Sequence, residues 1–201
     1  MNNKINKTGL LLVFIGLIIN LVFGFGAILS LVGLCMTAGQ SDNLRRSRNY
    51  FIGTMCVAIG TFIFMIVGVP VLFTGVFTTG SEGAVSGAII GVIVFSIAIA
   101  VCSIIFNYYS YKYLLYGCME TVPVGSDDYN SMSSCYRNYK RSLLITYIGL
   151  ILASLLSVIP VLNVILLIVV IVGAIYMFVC NIWIIVSVFK AYRALDNTQV
   201  R

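Results

Sequence analysis

The chain has 201 residues, of which 61% are hydrophobic and only 9% charged, and its formal net charge is +6. Its mean hydropathy is +1.09, whereas a typical soluble domain is about half apolar and a quarter charged. A soluble fold of this length has too little interior to bury so much apolar surface, which excludes a water-soluble globular protein. Long uninterrupted apolar runs without alternation predict transmembrane helices rather than strands.

The cations lie at the ends of the apolar runs, where Lys and Arg set membrane topology and contact lipid headgroups. They do not form a basic module with stacking residues, so the predicted partner is the lipid bilayer and not nucleic acid. The six cysteines include no CxxC pair and the chain has no histidine. We therefore expect neither a metal site nor a cofactor.

Residues 9–38 form the first uncharged run, which is too long for one helix across a core of about 30 Å unless it tilts strongly. A turn near Gly24 and Gly26 divides it into segments 9–23 and 26–38. This hairpin places all five flanking cations on one side, whereas the alternative, one long helix over 9–38, separates them. The hairpin interpretation gives six membrane segments and the single helix gives five.

The next two segments, 50–78 and 84–113, are joined by a polar turn whose single charge is Glu82. Pro70 removes a backbone donor inside the first of them, which predicts a kink in the preceding turn. The second ends in a tyrosine-rich stretch beside Lys112, typical of an aromatic belt at the membrane surface.

Three glycines, Gly83, Gly87 and Gly91, recur at four-residue spacing at the start of segment 84–113. Small residues at this spacing allow another helix backbone to approach closely. The pattern predicts helix packing, either within the chain or between two copies in a homo-oligomer.

Residues 117–142 are the longest polar segment. Ser126 and the two following aspartates have the residue types that start a helix. Tyr129, Met132, Tyr136 and Tyr139 then follow at three- and four-residue spacing. The pattern predicts an amphipathic helix that lies on the cytoplasmic membrane surface and runs into the next span through Arg137, Lys140 and Arg141. Docking of a partner is the alternative.

The uncharged stretch from Leu143 to Phe189 is long enough for two spans, 143–159 and 162–189. Pro160 and Asn163 lie near its middle and predict the turn between them. The return arm is the longer one and should tilt or project into the cytoplasm.

Charge asymmetry predicts the topology. Cations mark the N-terminus, the loop 40–49, the segment 112–142 and the tail, while the other three turns carry one acid and no base. The chain is thus predicted to be one integral domain over 1–201, an all-α polytopic bundle of three hairpins in the inner membrane with both termini cytoplasmic.

The hairpin pattern consists of a Gly-Leu-Ile-Leu run, then a Pro or Gly corner, then a second arm that contains glycines. This pattern resembles that of uncharacterised small multi-pass membrane proteins of prokaryotes. The resemblance covers mainly residues 9–65 and 145–190. It implies a membrane-protein class and carries no activity or site residues.

Apart from Lys112 at the end of segment 84–113, the six predicted segments contain no Asp, Glu, Lys, Arg or His. Proton relays and intramembrane proteases need such groups, so we expect no catalysis. The leading prediction is a non-enzymatic membrane protein that acts by binding or scaffolding, through 117–142 and its helix faces. The alternative is a transport component, a neutral-solute permease or a substrate-binding membrane subunit, with Asn20, Asn107 and Asn181 along the solute path.

Overall fold

The structure is a computed structural model that describes residues 5–71, 74, 82–155 and 160–199. These residues are almost entirely helical. The helices are α1 (Lys7–Phe23), α2 (Ala27–Thr37), α3 (Asp42–Ile63, followed by a π-helical turn over Phe64–Gly68), α4 (Glu82–Met119), α5 (Asp127–Leu155) and α6 (Pro160–Gln199).

The predicted all-α class is therefore confirmed for the described residues. Three helices are long and apolar enough to cross a membrane, over Asp42–Val71, Ile90–Met119 and Val164–Asp196. Their apolar side chains are largely exposed, as expected for helices that use lipid as their solvent. The chain divides into two compact units. The first comprises Met1–Arg48 and Tyr108–Arg201, and the second Asn49–Asn107.

In the first unit, α1 and α2 form a tight antiparallel pair. The chain turns at Gly24, whose φ of 79° lies in the left-handed region that glycine adopts at little cost. The predicted corner of the hairpin is confirmed, and the alternative of one long helix over 9–38 is wrong. However, α2 has only 11 residues, about 16 Å of helix, which is shorter than a bilayer core of about 30 Å.

Glycines bring the two backbones of this pair together. A Cβ on Gly16 would lie 2.4 Å from the Ser30 amide nitrogen, and a Cβ on Gly33 would lie 2.5 Å from the Gly9 carbonyl oxygen. Such distances are below any normal contact, so only glycine permits this approach. The Ser30 hydroxyl is buried between the helices without a hydrogen-bond partner.

The predicted polar loop 40–49 is mostly helix, because α3 already begins at Asp42. Ser41 caps it, its hydroxyl accepting from the Leu44 amide at 3.3 Å. Ser47 is fully buried and donates to the Ser110 carbonyl at 2.9 Å. The helix thus begins before the predicted membrane segment 50–78, and its first turns combine charged residues with buried polar contacts.

Within the second unit, α3 changes to a π-helical turn over Phe64–Gly68. Pro70 follows two residues later, so the irregularity lies in the turn where the sequence predicted a disturbance. The Phe64 ring lies 3.8 Å from the Phe95 ring of α4, centroid to centroid. The end of segment 50–78 lies outside the described residues.

The polar segment 117–142 contains the end of one helix, a loop and the start of the next, and the predicted helix start near Ser126 agrees with the structure. Helix α4 runs on to Met119, a short loop follows, and α5 continues unbroken from Asp127 to Leu155. Ser126 caps α5 as predicted, because its hydroxyl accepts from the Tyr129 amide at 3.2 Å. Met132 and Tyr139 are 0% and 3% exposed, so this face packs into the protein instead of resting on the membrane.

Helices α5 and α6 pack against each other, as the third hairpin predicts. Pro160 opens α6, where its fixed φ and missing donor cost nothing. Asn163 is already helical, which corrects its predicted place in the turn. Residues 156–159 lie outside the described residues. The 40 residues of α6 measure about 60 Å and include most of the predicted tail.

Candidate binding cavity

A cavity forms where α1 packs antiparallel against α6. Lys7 at the start of α1 forms an ion pair with Asp196 near the end of α6. One to two turns further along α1, the Phe14 and Phe189 rings lie 5.1 Å apart, centroid to centroid. These two contacts fix the register of the pair and place the cavity near the far end of α1.

The cavity has a volume of about 250 Å³. Residues 17, 20 and 21 share one face of α1, and residues 178, 181 and 185 share one face of α6, because helical side chains three and four positions apart are neighbours. Its lining consists of Leu17, Asn20, Leu21, Tyr111, Phe178, Asn181, Ile184 and Ile185.

Two asparagines supply polar groups in this otherwise mostly apolar wall. Asn20 comes from α1 and Asn181 from α6, and both are half-buried. Within the part of the chain that the structure describes, neither side-chain amide has a hydrogen-bond partner. Each amide offers two donors and an acceptor oxygen, so the pair can hold a ligand through directional hydrogen bonds.

Tyr111 completes the wall from α4. Its ring makes an edge-to-face contact with Tyr139 of α5, with centroids 5.2 Å apart. Tyr139 is almost fully buried, and this burial raises the pKa of its hydroxyl well above the usual value. Tyr111 is thus held between the cavity and a buried core, and the Tyr139 hydroxyl remains protonated near pH 7.

Cys135 lies in the same core, one helical turn from Tyr139. It is fully buried, and burial raises the pKa of its thiol to about 12. The thiol is therefore protonated and unreactive at neutral pH. Cys118 and Cys180 are buried as well, and no group of residues in the described chain is arranged to hold a metal ion.

The structure thus unites two of the three asparagines predicted to mark a solute path. Asn107 is not among the lining residues. Tyr111 and Phe178 were missed as lining residues, although Phe178 stands three positions before Asn181 and so shares its face. That a solute path runs along these asparagines stays a prediction.

The predicted packing glycines lie elsewhere, in the second unit. A Cβ on Gly87 or Gly91 would meet no described atom within 4 Å. Gly83 belongs to the first turn of α4, and the surroundings of its side-chain position lie outside what the structure describes. Packing through this face, within the chain or between copies, stays a prediction.

Comparison with models of protein families, with curated proteins and with solved structures finds no match.

Proposed function

We propose that this is a multi-pass membrane protein without catalysis of its own that binds a small neutral polar solute, as the binding component of a transport process. The observation that carries the proposal is the cavity in which Asn20 and Asn181 present unpartnered amides. The proposal combines two predictions from the sequence, a binding role and a role in transport.

The chemistry of the wall favours a neutral ligand. The lining contains no ionisable carboxylate or amine, so a charged solute would lose its hydration without gaining a counter-ion. Amide groups instead match hydroxyl, amide or urea-like groups, which both donate and accept. At about 30 Å³ per water, the volume equals about eight waters, which suits a solute the size of a polyol or a small amide.

The experiment is a stopped-flow permeability measurement on proteoliposomes with glycerol, urea and acetamide. We expect N20L and N181L each to abolish protein-dependent flux of the accepted solute, since Leu keeps the size but removes the hydrogen bonds. N107L is the matched variant, because it makes the same change outside the cavity.

A flux that survives N20L/N181L would contradict the proposal. Loss of flux in N107L alone would do so too, because it would place the path away from the cavity. Binding without flux is measured in parallel, as a shift of the thermal midpoint in detergent with each solute.

Scaffolding is the second candidate, and one observation favours it. Val124, in the loop between α4 and α5, is 84% exposed, and Pro123 and Gly125 beside it are exposed as well. We place the contact with a partner protein at this exposed tip of the loop. V124E should then remove co-purifying proteins without lowering stability. If every partner remains, this role is excluded.

The inner-membrane location, six segments and cytoplasmic termini are part of the same proposal. They are supported by the charge asymmetry of the sequence and by three helices of spanning length. In a cysteine-free background, E82C should react with an impermeant maleimide from outside intact cells, and N130C only after lysis. The reverse pattern would invert the topology.

A further inference from the structure

A cluster of cations and tyrosines lies at the Met119 end of α4. The Lys112 amine lies 5.4, 5.6 and 5.8 Å from the ring centroids of Tyr109, Tyr113 and Tyr116. The Arg46 guanidinium of α3 lies 5.5 Å from the Tyr113 ring. Two cations from different helices thus share one tyrosine ring.

A third cation belongs to the same neighbourhood. The Tyr136 hydroxyl of α5 is 2.6 Å from that of Tyr108. Burial, followed by this hydrogen bond, raises the pKa of Tyr136, while Lys112 and Lys140 act in the opposite direction. Lys140 stands four residues after Tyr136 on α5, so the two side chains are neighbours on one face of the helix. Lys140 and Arg46 are exposed and Lys112 is half-buried.

The cluster holds positive charge without a carboxylate to balance it. Among the described residues the ion pairs join Lys7 to Asp196, Arg45 to Asp42 and Lys190 to Asp128, and none includes the three cations of the cluster. Glu120 is bound by the Asn43 amide. Like charges that converge on half-buried rings repel one another unless an anion joins them.

Both helices become apolar just beyond the cluster. The sequence carries no charge over 49–81 after Arg48, or over 83–111 before Lys112. The cations therefore stand where two candidate spans leave the hydrocarbon, at the depth of phosphate groups in a bilayer. Tyrosine rings are favoured at that depth and their hydroxyls can donate to phosphate oxygens.

We infer that Arg46, Lys112 and Lys140, with the tyrosines around them, bind the phosphate of an anionic phospholipid such as phosphatidylglycerol. The phosphate of the lipid supplies the negative charge that the cluster lacks. This site lies apart from the asparagine cavity and does not depend on the solute proposed for it.

The test is a titration of phosphatidylglycerol into the protein in a neutral maltoside detergent, with bound lipid counted by native mass spectrometry. We expect R46Q/K112Q to weaken retention about thirty-fold, since each surface cation contributes about a factor of five. The matched pair R137Q/R141Q removes two exposed cations from α5 and should weaken it less than about threefold. Phosphatidylcholine should be retained equally by all three proteins.

Equal losses in the two pairs would overturn the proposal, because they would show a diffuse charge effect. The proposal is also refuted if soluble glycerol 3-phosphate raises the midpoint of thermal unfolding as much as the lipid does, since the ligand would then be a free phosphate. If R46Q/K112Q does not fold, the wild type decides: higher salt should release phosphatidylglycerol selectively, and unchanged retention refutes the site.

Discussion

Gly16 offers the sharpest test of the close pair α1 and α2. A Cβ at this position would lie 2.4 Å from the Ser30 amide nitrogen and 2.9 Å from the Gly26 carbonyl oxygen, both backbone atoms. Ordinary contacts begin near 3.4 Å, so G16A must separate the helices by about 1 Å. Overpacking of this kind costs about 1–3 kcal/mol, and the better helix propensity of alanine returns up to about 1 kcal/mol.

The net expectation for G16A is a loss of about 1–2 kcal/mol in the free energy of unfolding. The matched variant is G60A in α3, where a Cβ meets no described atom within 4 Å. It keeps only the propensity gain, so its stability should rise by up to about 1 kcal/mol. The two substitutions are chemically identical and are expected to have opposite signs.

The assay is unfolding by increasing mole fraction of dodecyl sulfate in mixed micelles, followed by the helical circular dichroism signal. G16A should unfold at a lower mole fraction than the wild type, and G60A at the same or a higher one. If G16A is as stable as G60A, the close approach of α1 and α2 through glycine is refuted.

Four further outcomes are expected from the same structure. G24A should cost about 1–2 kcal/mol in that titration, because alanine resists the positive φ of the turn. N181L should be neutral or stabilising by up to about 1 kcal/mol, since an unpartnered amide is removed, so a loss of solute binding in this variant cannot be ascribed to unfolding. A double-mutant cycle with D128N and K190M should give a coupling below about 1 kcal/mol, smaller at high salt, because the 2.9 Å ion pair is partly exposed. In a variant that keeps Cys135 as its single cysteine, this thiol should react with iodoacetamide at pH 8 about a thousand times more slowly than an ordinary thiol. The reaction rate should rise about tenfold per pH unit, because the thiolate forms only toward a pKa of about 12. Rapid labelling at pH 8 would show that the thiol is not buried.

Local chemistry made several elements predictable. The corner at Gly24 follows from a glycine-rich stretch midway in an apolar run, and the cap at Ser126 from a serine before two acids. Pro70 likewise marked the irregular turn of α3. These features depend on a few neighbouring residues, so the sequence is sufficient to place them.

The segment 117–142 shows where such reasoning fails. An apolar face at helical spacing is the same pattern whether it meets lipid, a partner or the chain's own core. Met132 and Tyr139 are both buried, and the Tyr139 ring packs against Tyr111 of another helix. Periodicity indicates that one face of the helix is apolar, but it does not indicate whether lipid, a partner or the rest of the chain covers that face.

The candidate cavity has the same character. Asn20, Asn107 and Asn181 are equivalent in the sequence, as polar residues in or beside apolar runs. The register of α1 against α6, set by contacts such as Phe14 with Phe189, brings Asn20 and Asn181 to one cavity and leaves Asn107 outside its wall. Packing alone distinguishes them, because it depends on side chains more than 160 positions apart.

The sequence by itself determined the class of this protein. With 61% hydrophobic residues and uncharged runs of spanning length, the chain must satisfy its backbone hydrogen bonds in helices and expose their apolar faces to lipid. Which polar side chains lie close together depends on the tertiary structure. The paired asparagines and the shared ring of Arg46 and Lys112 arise from helices that are distant in the chain, and such meetings depend on how the helices pack, which local composition does not encode.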